Sequence, residues 1–474
     1  MNRCAPFATV QHILLGLALL VSLMMPKLGS AQSGWWTGWI VDVSLPLSLH
    51  LGTDTAAQQL YSPLQSTQPL PVSTYRRAGD TLHLSAKSLA LRLQLVYHPA
   101  DSTWHGSVRQ RALNCPIVFR PADTLLHLNR PQTPTPPYSF TEEPVTLQRT
   151  DRAGRTVVLS GTLALPRQAL AGSRAPAVLL VSGSGQQDRD ETLFHHKPFL
   201  VIAEELAARG IATLRYDDRG VGQSTGPVED ATTLDFADDA EALLRLLRRH
   251  PRIDRHRVGI VGHSEGATIA SLIAARNRHV AAIVLLGGQG CSGRDVLLQQ
   301  NRALYAEANP QALTTRLHIM QRCLDTLSAV APADLTAAVR TIVADEQQHS
   351  GLPQTALDSV GLPKGFAFAL AQQLNIPWMR TFVSLDPAQW MGRVRCPLLA
   401  MTGSLDRQVL ATDNLPAIAR LATHTTATTH QLNGLNHLFQ HCTTGHTEEY
   451  LLIEETFAPE ALEMMAQWLL NALR

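Results

Sequence analysis

The stretch RVGIVGHSEGATIASLIAA, Arg257–Ala275, decides how the rest of the chain is read. It contains Gly262-His263-Ser264-Glu265-Gly266, a G-x-S-x-G pattern, and a second copy stands at Gly222-Gln223-Ser224-Thr225-Gly226. What flanks each copy separates them. A nucleophile elbow needs a strand, a sharp turn with the serine at its tip, and a helix that begins at once. Glycines are needed because strand and helix backbones pass too close for side chains. Ser264 has the apolar VGIV before it and ATIASLIAA, a helical pattern, after it. Ser224 follows the polar RYDDRGVGQ and precedes Pro227, so it reads as part of a surface loop. Ser264 is the candidate nucleophile.

Outward from Ser264, short apolar runs alternate with amphipathic ones. TVVLSGTLALP, APAVLLVSGSG, IATLRYDD, VAAIVLLGG and CPLLAMTGSLD read as strands or strands entering loops. PFLVIAEELAARG, LDFADDAEALLRLLRRH and PEALEMMAQWLLNAL read as helices. This alternation predicts an α/β fold, a mostly parallel sheet flanked by helices, over residues 141–474. The Ala-, Leu- and Gln-rich segment 292–390 interrupts it and reads as a helical cap insertion. Residues 33–127 differ. SLALRLQLVY alternates with period two, and turn-forming stretches such as RAGD and HPADS divide the runs, predicting a small antiparallel β domain. The proline-rich stretch within 128–140 predicts a linker.

A nucleophilic serine needs a base, and the base needs an acid that orients it. In doubly wound hydrolases the chain order is Ser, Asp or Glu, His. Asp406 follows the strand PLLAMTGSL, and His437 follows the last predicted strand, so both fall at the sheet edge where Ser264 must sit. Asp386, His430 and His441 are weaker candidates by position. The oxyanion hole is assigned to the backbone N–H groups of Glu265 and of Ser184 in the loop SGSGQQ.

The motifs VSGSGQQDRDE, LRYDDRGVGQS, GHSEG, GSLDRQV and NGLNHLF resemble those of the α/β-hydrolase superfamily, in the branch of bacterial esterases grouped with serine aminopeptidases. The resemblance spans residues of about 140–474 and implies Ser264 as nucleophile, Asp406 as acid and His437 as base. It also makes DDRGVGQS a family loop and fits an N-terminal β domain. Ala267 and Leu410 depart from the glycine and proline usual in such relatives, without touching a catalytic group. The expected activity is hydrolysis of carboxylic esters, or, as the alternative, of short peptides by an aminopeptidase. The peptidase reading requires acidic groups for a substrate ammonium. Asp188, Asp190, Glu191 and Glu265 are available, against the plainer reading that they pair locally with Arg189 and Arg219.

Composition narrows the partners. The 474 residues are 45% hydrophobic and 17% charged, and 40 basic residues balance 39 acidic ones to +1. That balance argues against nucleic acid or an anionic membrane as partner and leaves a small-molecule ester or short peptide. No cofactor is implied. His437 and His441 stand at the i, i+4 spacing of zinc ligands on a helix, but HLFQH lacks the glutamate of H-E-x-x-H. A non-catalytic binding protein is the remaining rival, and a complete Ser, Asp and His set in order argues against it. At the amino end, Arg3, the apolar ILLGLALLVSLMM and the small residues Gly29 and Ala31 predict a signal peptide over residues 1–31, hence export to periplasm or medium. An uncleaved anchor is the alternative. The five cysteines beyond it are odd in number and widely spaced, which suggests buried thiols rather than a disulfide framework.

Overall fold

The computed structural model describes residues 32–40, 45–52, 58–63, 68–110, 113–126, 128–167, 174–327 and 329–474. The expected leader, residues 1–31, lies outside the described residues. The chain divides into two compact units between Asn129 and Arg130.

In the first unit, β1 (Gly34–Ile40), β2 (Leu45–Leu51), β3 (Gln59–Tyr61), β4 (Thr74–Ala78), β5 (Thr81–Ala86), β6 (Leu91–His98), β7 (Thr103–Gln110) and β8 (Leu113–Ala122) form one sheet in the order β3-β2-β1-β8-β7-β6-β5-β4. Every described neighbour pair is antiparallel. The period-two pattern of β6 becomes a strict alternation of buried Leu91, Leu93, Leu95 and Tyr97 with exposed partners. These pack with Trp36, Trp104 and Phe119 in a core of their own.

The second unit opens with β9 (Phe140–Thr150), β10 (Thr156–Pro166), β11 (Ala175–Val181), α1 (Pro198–Ala208), β12 (Ala212–Tyr216) and α2 (Thr233–Leu247). It continues with β13 (Ile253–His263), α3 (Glu265–Arg276) and β14 (Ile283–Leu286). Six helices follow: α4 (Gly293–Leu304), α5 (Pro310–Thr326), α6 (Leu335–Ser350), α7 (Gln354–Asp358), α8 (Phe366–Leu374) and α9 (Pro377–Ser384). Then β15 (Leu398–Gly403), α10 (Ala411–Leu421), β16 (Ala427–Leu432) and α11 (Pro459–Ala472) complete it. The sheet order is β16-β15-β14-β13-β11-β12-β10-β9. It is parallel from β12 to β16 and antiparallel at β10 and β9.

The central strands are apolar over most of their buried length because both faces are covered. Leu179, Leu214, Ile260, Ile283 and Leu398 meet α2, α3 and α10 on one face. Val178, Leu180, Val261, Val284 and Leu399 meet α1 and α11 on the other. The insertion α4–α9 has a separate core around Ile319, Val339, Leu362 and Leu374. The strand β9 escapes the sequence pattern. FTEEPVTLQRT carries few apolar residues, and only Phe140 of it is buried, because it is an edge strand paired on one side by β10. The proline-rich stretch is fastened to the second unit. The Arg130 guanidinium donates to the carbonyls of Phe194, Leu451 and Ile453, and Gln132 bonds Thr456 and Phe457.

Candidate active site

Ser264 stands between the end of β13 and the start of α3, with φ 53° and ψ −115°. A non-glycine residue held there is strained, and the strain persists only because both neighbouring elements dictate the turn. The Ser264 N–H donates to the Leu286 carbonyl of β14 at 2.8 Å, and its own carbonyl accepts from Ala267 at 3.0 Å. The flanking glycines follow from contact distances. A Cβ on Gly262 would lie 2.0 Å from the Gly266 carbonyl oxygen, and one on Gly266 would lie 2.0 Å from that of Val181. The second copy of the pattern is placed differently from expectation. Ser224 is not on the surface: it is 4% exposed, donates to the Asp217 carbonyl at 2.7 Å and accepts from the Ser160 N–H at 2.8 Å. Its hydroxyl pins a loop to β10.

Asp406 sits in the turn after β15. Its Oδ1 accepts the N–H groups of Gln408 and Val409, each at 2.8 Å, and its Oδ2 lies 2.7 Å from His437 Nδ1. Both side chains are buried. A carboxylate so held keeps a proton on Nδ1 and leaves Nε2 as the acceptor. His437 and Ser264 line one cavity of about 100 Å³ together with Ser184, Glu191, His263 and Gln408. A second cavity of about 100 Å³ shares Ser184 and Ser264 and is lined further by Glu265, Gly287, Trp378 and Phe382. Among the described residues no hydrogen bond joins the Ser264 hydroxyl to the imidazole, a contact that often tightens only when substrate is bound.

The Glu265 N–H is at the first turn of α3, where it has no intrahelical acceptor, and the helix dipole favours negative charge there. The Ser184 loop adjoins it across the second cavity. Gly183, one residue earlier, has its N–H engaged with Glu191 Oε1 at 2.6 Å.

The other candidates stand elsewhere. Asp386 caps a short helical turn by accepting the Ala388 N–H at 2.9 Å. His430 lies within β16. His441 is not on a helix with His437: the segment is a turn closed by a Leu435–His441 bridge, and the His441 ring pairs with Glu455 and Glu460. Among the described residues no three His, Cys, Asp or Glu side chains cluster where a metal ion could be held.

The acidic residues near the site are occupied, though by other partners than Arg189 and Arg219. Asp190 pairs with Arg215 and Lys197, and Asp188 accepts the N–H groups of Asp190 and Thr192. Glu265 accepts from Thr233 Oγ1 at 2.6 Å and Trp378 Nε1 at 2.7 Å. Burial raises the Glu265 carboxyl above its ordinary range, against the pull of those two donors. Arg189 turns to Asp217, and Arg219 to Asp239.

Residues 194–342 match the family described as serine aminopeptidase, S33. Over 149 residues the chain is 32% identical to the esterase EstD of Thermotoga maritima, covering 31% of this chain and 33% of that protein. The chain thus spans about a third of the length of the curated relative it matches. Over this part of its length the chain resembles α/β-hydrolases of the esterase and serine aminopeptidase kind. The family match takes in Ser264 and Glu265 and ends before Asp406 and His437. Among solved structures, the esterase Pf2001 of Pyrococcus furiosus is 14% identical, covering 71% of this chain and 94% of that chain with a TM-score of 0.40. The alpha/beta hydrolase GrgF from a Penicillium species is 17% identical, covering 70% and 98%, with a TM-score of 0.40.

Gly287 and His263 of the site escape sequence reasoning, and Glu191 enters it only as a candidate for a substrate ammonium. Gly287, at the end of β14 with φ +57°, makes room for the base: a Cβ there would lie 3.0 Å from His437 Cε1 and 3.1 Å from Nδ1. The glycine run after VAAIVLL was its signal. Glu191 and His263 form a buried pair at 2.9 Å beside His437. Nothing in their sequence spacing predicts that they meet.

Proposed function

We propose that this hydrolase cleaves carboxylic esters through an acyl-enzyme intermediate. Ser264 attacks the carbonyl carbon while His437 Nε2 takes the hydroxyl proton. Asp406 holds the imidazole and stabilises the imidazolium that forms. The tetrahedral oxyanion is received by the N–H groups of Glu265 and Ser184. His437 returns the proton to the departing alcohol, then activates the water that releases the acid. The observation that carries this reading is the 2.7 Å Asp406–His437 bond, with His437 lining the same cavity as a serine in a strained strand–helix turn.

Esters are favoured over amino-acyl substrates because the nearby carboxylates are engaged by the chain's own donors. The aminopeptidase reading draws support from the family description and from Glu265, an acidic residue that lines the second cavity. The insertion α4–α9 supplies Trp378 and Phe382 to that cavity, which supports a role as a cap that sets acyl size. The substrate is a small molecule, and the predicted leader supports export.

The test compares wild type with Ser264→Ala on matched acyl esters and amino-acyl anilides. We expect ester turnover in the wild type and a loss of at least about 10³-fold in the variant. Anilide turnover that requires a free amine would replace the esterase reading by the peptidase one. A variant with wild-type rates would remove Ser264 from the mechanism.

A further inference from the structure

Glu191 lies on the loop after β11, with φ 52°. Its Oε1 accepts two donors, the Gly183 N–H at 2.6 Å and His263 Nδ1 at 2.9 Å. On the other side of the ring, His263 Nε2 lies 3.0 Å from the His437 carbonyl oxygen. Glu191 and His263 are both buried. A carboxylate and a carbonyl only accept hydrogen bonds, so both ring nitrogens of His263 carry protons. The ring is therefore an imidazolium balanced by Glu191. Burial alone would lower its pKa, but the charge and hydrogen bond of Glu191, the His437 carbonyl and the charge of Asp406 outweigh that, and its pKa is raised.

This pair touches each segment that carries a reacting group. Gly183 precedes Ser184 on the first oxyanion strand–loop, His263 precedes Ser264, and the His437 carbonyl belongs to the base itself. A buried ion pair is a poor device for stability alone, since packed apolar groups of the same volume do as well or better. What it provides is direction. By taking the Gly183 N–H it removes that donor from the cavity and sets the orientation of the peptide that follows. By donating to the His437 carbonyl it fixes the backbone from which the imidazole projects.

We propose that Glu191 and His263 act as one positioning unit that holds the Ser184 loop, the Ser264 elbow and the His437 loop in register for the reaction. The proposal rests on the ester-hydrolase reading above. Neither residue touches the reacting atoms.

The test is a double-mutant cycle of Glu191→Gln, His263→Gln and the double variant on the ester that wild type turns over best. Sites are counted by exhaustive labelling with a fluorophosphonate probe, so that rates refer to folded enzyme. Each single variant should lose on the order of 10²-fold in kcat, the cost of a displacement of about 1 Å at the reacting groups. KM should stay within about 3-fold, and the double variant should fall no more than about 3-fold below the worse single one. His263→Asn, which can keep the Glu191 bond but cannot reach the His437 carbonyl, should lose kcat as well. Site-normalised kcat within about 3-fold of wild type, with only a lowered Tm, would overturn the proposal. Multiplicative losses in the double variant would also overturn it, because the two residues would then act separately. Wild-type turnover in Ser264→Ala would remove the underlying reading as well, and that control distinguishes the two failures.

Discussion

The local setting of a single residue is legible in sequence when it depends on the chain next to it. Ser264 is such a case: the apolar run before it and the helix after it are both local. Asp218 is the opposite case. It belongs to the loop DDRGVGQS, and nothing in that motif marks it as unusual. In the structure its carboxyl is buried and its pKa is pushed up to about 8 by that burial, against the Gln187 N–H and Ser182 hydroxyl that bond it, with the charges of Glu265 and Glu191 adding to the rise. The folded state thus holds a proton that the unfolded chain gives up at the ordinary 3.8. Asp218 favours folding most below 3.8, and that contribution is lost as pH rises through about 8. Asp218→Asn keeps an oxygen for both donors and carries no charge. Its Tm should lie within about 2 °C of wild type at pH 5 and exceed it by more than about 2 °C at pH 9. Calorimetry at the two pH values checks this, and parallel Tm curves would refute the assignment.

At the scale of elements, β13, α3 and β11 meet so closely that glycine is a steric requirement. The predicted consequence falls on Gly266. In Gly266→Ala the new methyl would meet the Val181 carbonyl oxygen at 2.0 Å and the Ser182 carbonyl oxygen at 2.6 Å, and both belong to backbone that cannot swing aside. Forcing α3 away from β11 should cost about 1–3 kcal/mol or more and disturb the Glu265 N–H with it. Denaturant unfolding should show the loss of stability, and ester turnover should fall. Unchanged stability and turnover would mean that the elbow relaxes more easily than its contacts imply. Elements also show where patterns fail. β10 begins and ends where its apolar run does, Thr156–Pro166, because it is covered on both faces. Its neighbour β9 was illegible because an edge strand needs few buried residues.

At the scale of the molecule, each unit has its own core, and the second contains all five residues assigned to the site. The described cysteines form no disulfide. Burial pushes the thiols of Cys323 and Cys396 up to about 12 and that of Cys442 to about 11, which keeps them protonated and slow to oxidise. The proposed export therefore makes a specific prediction. Intact mass of the protein recovered outside the cytoplasm should correspond to a chain beginning at Gln32 with five reduced thiols. A chain beginning at Met1 would instead favour the uncleaved anchor. Among the described residues no helix is long and apolar enough to cross a membrane.

The sequence by itself determined the alternating architecture, the strand–turn–helix setting of Ser264 and the strand ends that Asp406 and His437 follow, because each depends on local periodicity or on which end of a strand a residue follows. Tertiary structure decided which side chains meet. Asp406 and His437 are 31 positions apart, and Glu191 and His263 are 72 apart. Their contacts exist because β11, β13, β15 and β16 lie parallel in one sheet and deliver their following loops to the same edge. The partners of Arg189 and Arg219, the burial of Ser224 and the space that Gly287 leaves for His437 were settled the same way. Pairing of charges and room for a ring are properties of neighbours in space, and sequence spacing does not encode them.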